Sequence, residues 1–161
     1  MSKQQAQSPL DDAPEGEIVS DWVLVDQALI SKFGEATLDP DPMHVDPEWA
    51  ARGPFGATIA FGFLTVSLLT HLMHSAMNNE PVSDLSQGFY LNYGFDRLRL
   101  LSPVMVDSRV RGVFRPLGKR VDDKGRVVAT FDCRIEIEGA SKPALVAEWL
   151  TLWVPPEAAL G

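Results

Sequence analysis

Two side chains able to move protons, Asp39 and His44, stand five positions apart in Asp39-Pro40-Asp41-Pro42-Met43-His44, a stretch stiffened by two prolines. An imidazole with an ordinary pKa of ~6.5 exchanges protons near neutrality, and an ionised carboxylate can orient a water or balance an imidazolium. Just downstream, Gly53-Pro54-Phe55-Gly56 and Ile59-Ala60-Phe61-Gly62 lead into an apolar run. A proton-transfer pair ahead of a glycine-punctuated helix entry is a place for chemistry. Taken alone, Asp-x4-His is a weak signal, because Asp commonly caps helices and a lone His is usually satisfied structurally. Asp39, Asp41, His44 and Asp46 also offer oxygen and imidazole ligands of the kind divalent ions take. Spaced carboxylates in a proline-rich stretch more often cap and turn, and no metal is expected. His71 and His74 read as solvated or core-satisfied.

The elements around these residues follow from local pattern. Trp22 to Val25 suits a short strand, and Asp26 can cap a helix from Gln27 that ends before Asp39, where each proline drives the preceding residue towards extended geometry. Asp46 followed by Pro47 reads as the cap and first position of a short helix, Glu48 to Arg52. From about Thr58 to Met77 the apolar residues fall on more than one helical face, which predicts a buried central helix. Beyond Pro81 the period changes to two. Val127, Ala129, Phe131, Cys133, Ile135 and Ile137 alternate with Thr130, Asp132, Arg134, Glu136 and Glu138, the pattern of a half-buried antiparallel strand. Similar strands are expected at about Leu85 to Leu100, Val104 to Phe114 and Ala144 to Val154, with neighbours pairing as a meander through turns at Ser102-Pro103, Asp122-Asp123-Lys124-Gly125 and Gly139-Ala140-Ser141.

Length bounds the rest: 161 residues make one domain, with ordinary hydrophobic and charged fractions. Residues 1–20 are rich in Gln, Ser, Pro, Asp and Glu, predicting a disordered tail ahead of a domain over 21–161. His71 and His74 interrupt the longest apolar run, so no membrane span is expected, and the polar N-terminus does not look like a leader. A cytoplasmic protein fits. The single Cys133 excludes an internal disulfide. A formal charge of −8 argues against a nucleic-acid partner. The acidity lies at the front: residues 1–50 hold eleven Asp or Glu against two Lys, whereas 51–161 hold eleven against twelve Lys or Arg, which leaves room for a basic groove.

Asp39, His44, Asp46, Ala50 and Ile59-Ala60-Phe61-Gly62 together resemble the signature of the MaoC-like, or (R)-specific, enoyl-CoA hydratases, where Asp-x4-His precedes Asp-x-x-x-Ala and then Ile-Ala-His-Gly. Phe63-Leu64-Thr65-Val66-Ser67-Leu68-Leu69, Leu91-Asn92-Tyr93-Gly94-Phe95-Asp96-Arg97-Leu98-Arg99, Ile137-Glu138-Gly139 and Lys142-Pro143-Ala144 are most similar to its NodN-type branch, so the likeness spans roughly residues 22–154. The resemblance implies an α+β hotdog fold, a long antiparallel sheet wrapped around a buried central helix, paired as a homodimer. One long apolar helix followed by long strands calls for the same wrapping on physical grounds.

For activity, the resemblance implies reversible hydration of a trans-2-enoyl thioester carried by coenzyme A or acyl carrier protein, with no metal or redox cofactor. Asp39 and His44 are implied to hold and activate the water. The backbone N–H of Gly62, in the first turn of the central helix, is the candidate donor to the thioester oxygen, since free N–H groups and the dipole's positive end meet there. Phe61 is expected beside the acyl tunnel, and Thr70 falls where some relatives place an active-site serine. Arg97, Arg99, Arg109 and Arg111 alternate on strands and could meet coenzyme A phosphates, although solvated strand faces are the default for such a pattern. Three residues depart from the pattern: Phe61 replaces the usual His, Leu38 the usual Gly before the Asp, and Asp41 a common Asn. These departures leave room for a hotdog acyl-CoA thioesterase or a non-catalytic acyl-thioester-binding subunit.

Overall fold

The computed structural model describes residues 15–78 and 84–156, so most of the expected tail, residues 1–14, lies outside the described residues. Its end is corrected: Ile18–Val19 (β1) pairs antiparallel with the strand containing Val113 and Phe114, and Ser20 Oγ accepts the Gly112 N–H at 2.9 Å. Two residues of strand are too short for any period to show, yet Ile18 is 8 % exposed and joins the core.

The chain continues through β2 (Val23–Val25) and α1 (Gln27–Thr37), two short helices α2 (Pro42–Val45) and α3 (Pro47–Ala51), and then α4 (Gly62–Met77). Four long strands follow: β3 (Phe89–Leu100), β4 (Ser108–Val121), β5 (Val127–Ile137) and β6 (Leu145–Val154). All six strands form one antiparallel sheet in the order β1-β4-β5-β6-β3, with β2 also on β4. β4, β5 and β6 make the expected meander, but β3 does not pair with β4. It crosses to the far edge and pairs with β6, and Ser102-Pro103 belongs to the crossover instead of a hairpin.

Alternation along β5 decides the two faces of the sheet. Ala129, Phe131, Cys133 and Ile135 join Leu64, Leu69 and Leu72 of α4, Val110 and Phe114 of β4, and Trp149 of β6 in one buried cluster. The outward rows carry cross-strand ion pairs, Arg111 to Glu136 and Arg115 to Asp132 at 2.8 Å each, and Arg97 to Glu148. This is the hotdog arrangement, a sheet curled around one long helix. Helix burial is one-sided, however: Leu64, Thr65, Leu69 and Leu72 face the sheet, while Phe63 is 76 % exposed and Ser67, Thr70 and His71 share that open side. Apolar residues on several faces therefore overstated how completely the chain encloses its helix.

Candidate active site

The site is built on an arch from α1 to the first turn of α4. Asp26 starts α1 by accepting the Leu29 N–H at 2.8 Å, and the helix ends at Leu38, which adopts a left-handed conformation (φ 59). A glycine takes that conformation without strain, which gives the physical reason why glycine suits this position. The chain then doubles back over the helix, with the Asp39 N–H donating to the Gly34 carbonyl at 2.9 Å. A Cβ at Gly34 would lie 2.9 Å from the Asp39 carbonyl oxygen and 3.0 Å from the Phe61 ring, so the crossing requires glycine.

Asp41 then caps α2, its Oδ1 accepting the Met43 N–H at 2.9 Å, with Pro42 in the first turn. Asp and Asn cap about equally well, so Asp41 in place of Asn keeps the turn. Asp46 repeats the device for α3, accepting the Trp49 N–H at 3.0 Å. His44 therefore projects from a single helical turn instead of an extended loop.

His44 is held from three directions. Its Nδ1 lies 2.7 Å from the Ile59 carbonyl, which can only accept, so Nδ1 carries the proton and Nε2 is the basic nitrogen of the neutral ring. The Phe61 ring stacks on the imidazole at 3.9 Å between centroids, and is itself 5.3 Å from Phe33. Beneath the turn, Gln27 Nε2 donates to the His44 carbonyl at 2.9 Å and to Ser31 Oγ at 3.1 Å, while Gln27 Oε1 accepts from Thr58 Oγ1 at 2.5 Å.

Thr58 to Ala60 carries these contacts on to the crossover. The Ile59 N–H reaches the Met43 carbonyl at 3.4 Å, the Ala60 N–H the Val104 carbonyl at 2.8 Å, and the Val106 N–H the Thr58 carbonyl at 2.9 Å. Between them lies a cavity of about 240 Å³ lined by His44, Ile59, Gly62, Thr65, Leu100 and Ser102, with Ala60, Leu101, Pro103 and Val104 completing the wall. α4 opens at Gly62 with no side-chain cap on its first N–H groups, so this wall presents uncapped backbone donors and the positive end of a 16-residue helix. A Cβ on Gly62 would fall 2.4 Å from Leu100 Cδ1, so any larger residue would displace the Leu100 side chain from that corner.

Of the residues singled out by sequence, His44 and Gly62 meet at this cavity. Asp39 is exposed and outside its wall, with Oδ1 accepting the Asp41 N–H at 3.2 Å. Phe61 is 4 % exposed and clamps the imidazole instead of lining the cavity. Thr70 sits on the open side of α4, and it is Thr65, one turn earlier, that reaches the wall. Among the described residues no group of three or more His, Cys, Asp or Glu is placed to hold a metal ion.

Residues 8–136 match the MaoC-like domain model. The chain is also 44 % identical over 134 residues to nodulation protein N of Rhizobium leguminosarum bv. viciae, covering 83 % of this chain and 81 % of that protein. This protein belongs to the MaoC-like family. The 3-hydroxyacyl-thioester dehydratase Z of Mycobacterium tuberculosis is 42 % identical over 135 residues, 84 % of this chain and 86 % of its own. Among solved structures, the (R)-hydratase from A. caviae involved in PHA biosynthesis superposes with a TM-score of 0.68 at 22 % identity, over 87 % of this chain and 97 % of that one. As a MaoC-like chain it has the hotdog fold, and among its described residues no helix is long and apolar enough to cross a membrane.

Proposed function

We propose that this MaoC-like protein is a hydro-lyase, an (R)-specific enoyl-thioester hydratase that also dehydrates (3R)-hydroxyacyl thioesters. One observation carries the reading: an imidazole with its Nδ1 proton fixed on the Ile59 carbonyl shares a cavity with the uncapped first turn of α4 at Gly62. In hydration, water oxygen adds to the β carbon as His44 Nε2 takes its proton, charge moves onto the thioester oxygen, and the imidazolium returns that proton to the α carbon as the enolate collapses. The Gly62 N–H stabilises that oxygen. In a protease, one donor so placed is worth about 3 to 4 kcal/mol. Asp39, five residues before His44 on the same arch, is the carboxylate proposed to orient the water. The chemistry is complete with protons alone, so the reading needs no metal or redox cofactor.

The thioester would be carried by coenzyme A or acyl carrier protein, which suits a cytoplasmic protein with one buried, reduced cysteine. A homodimer belongs to the same proposal. β3 is a 12-residue edge strand with Leu91, Tyr93 and Phe95 at 48, 57 and 39 % exposure, a long apolar edge that a second copy would cover.

Crotonyl-CoA tests the reaction: the enoyl absorbance should fall with wild type and persist with Asp39→Asn or His44→Ala. No loss of absorbance with short, medium or branched acyl chains would overturn it, and release of free thiol would identify a thioesterase instead. The exposure of Asp39 outside the cavity wall favours a second reading, a subunit that binds acyl thioesters without turnover. Tight crotonyl-CoA binding with no absorbance change would select it.

A further inference from the structure

The single turn that carries His44 has little packing of its own to place it. No residue of α2 is fully buried, and a proton-transfer group displaced by a fraction of its bond length loses most of its effect. The segments on either side are firmly held. α1 is anchored by Ile30, at 0 % exposure, and by Gly34. Thr58 to Ala60 is tied to the crossover by the Val106 N–H on the Thr58 carbonyl, the Ala60 N–H on the Val104 carbonyl and an antiparallel bridge from Ile59 to Met105.

Gln27 joins all three segments. A carbonyl can only accept, so the His44 carbonyl must face the amide's Nε2, at 2.9 Å, which turns Oε1 towards Thr58 and obliges the Thr58 hydroxyl to donate. The Ile59 carbonyl obliges His44 Nδ1 to donate in the same way. Because Thr58 and Ile59 are neighbours, these bonds close a loop that runs from the His44 carbonyl through the Gln27 amide, the Thr58 hydroxyl and the Ile59 carbonyl back to the His44 ring. Thr58 is 1 % exposed, so water does not compete for its hydroxyl. A free neutral imidazole divides its proton between two nitrogens; inside this loop only Nδ1 has an acceptor waiting for it.

We infer that Gln27 is a positioning residue: through Thr58 and the His44 carbonyl it holds the imidazole so that Nε2 is the nitrogen left to take a proton. Gln27 is not part of the cavity wall, so its effect on chemistry passes through His44. Only an amide suits the place. A carboxylate there keeps an acceptor for Thr58 but meets the His44 carbonyl oxygen with another oxygen. The inference rests on the hydratase reading and deepens it, and a readout that needs no turnover keeps the two apart.

Long-range proton–nitrogen NMR at about pH 8.5, where an ordinary imidazole is uncharged, reports which ring nitrogen holds the proton. The chain has three histidines, and His44→Ala identifies the signals that belong to His44. Wild type should show Nδ1 protonated. Gln27→Glu, and to a lesser degree the shape-preserving Thr58→Val, should move the His44 nitrogens towards the averaged values of a free imidazole and leave His71 and His74 where they were. With crotonyl-CoA, kcat should fall about tenfold or more in Gln27→Glu while KM stays within about twofold. Ile135→Val, which costs stability through a small cavity in β5, should move neither the tautomer nor kcat. Thr58→Val carries the test if Gln27→Glu does not fold. Folded variants that keep the wild-type tautomer overturn the inference, as does an unchanged kcat in Gln27→Glu or a tautomer shift that Ile135→Val reproduces. If wild type leaves crotonyl-CoA untouched while the tautomer still follows Gln27 and Thr58, the hold of Gln27 on His44 stands and the hydratase reading falls.

Discussion

The arch from Gln27 to Gly62 and the sheet from Phe89 to Val154 are held together by different means. In the sheet, long ladders of backbone bonds set the register, burial fills the inner face, and ion pairs line the outer one. In the arch, two short helices are pinned by carboxylate caps, and side chains bond partners far away in sequence. Burial is forgiving of which apolar residue fills a place, whereas a cap or a carbonyl-bound imidazole specifies both residue and orientation. The proposed chemistry sits in the region where geometry is set by directional bonds. Changes in the arch should therefore cost activity before stability, and changes in the sheet the reverse.

The largest separation is expected at His44. His44→Ala should lower kcat/KM by about 10² to 10⁴ while a thermal melt stays close to wild type. The mirror experiment is Phe131→Ala at 2 % exposure, which should cost ~3 to 5 kcal/mol by urea unfolding while the folded fraction keeps its turnover. Gln27→Ala should fall between them. It frees the His44 turn and leaves the Thr58 hydroxyl, 1 % exposed, without a partner, an expected ~1 to 3 kcal/mol in stability with an accompanying drop in kcat. A variant that loses only stability would show that the arch is ordinary packing.

Smaller effects sharpen the contrast. Leu38→Gly should stabilise by ~1 kcal/mol, seen as a rise of ~2 to 4 °C in Tm, because it relieves a left-handed leucine that is 88 % exposed. On the outer face, the Arg134 guanidinium holds the Glu136 carboxyl below its ordinary value of 4.5, helped by Arg111. A carboxylate with a lowered folded pKa stabilises above its unfolded value and loses that contribution as pH falls through the folded one. Melts followed downward from about pH 5, where the unfolded carboxyl begins to protonate, should show Glu136→Gln losing less stability on acidification than wild type.

Local signals explain what sequence revealed. The alternation of Val127 to Glu138, the Asp26 and Asp46 caps and the glycine at the start of α4 each act within a few residues, and each appears where expected. Asp41-Pro42 carries the same cap-and-proline signal as Asp46-Pro47, yet its helix is a single turn with no period to detect. The β3–β6 pairing, the Gln27 contacts 17 and 31 residues away, and the joining of Thr65, Leu100 and Ser102 at one wall depend on the assembled chain. Chain order alone left them hidden. Position 61 shows the limit of motif reading: the Phe that stands for His was expected to shape a tunnel, and it clamps the imidazole.

The lone thiol offers a practical use. Cys133 is 2 % exposed at the middle of β5, its Sγ 3.5 Å from the Phe131 carbonyl, and burial pushes its pKa up to about 12. A maleimide or disulfide reagent near neutral pH thus has no thiolate to attack until the centre of the sheet comes apart. The rate at which a coloured reagent labels the native protein becomes a built-in stopwatch for global opening, and adding substrate should slow it in proportion to the fraction of molecules occupied.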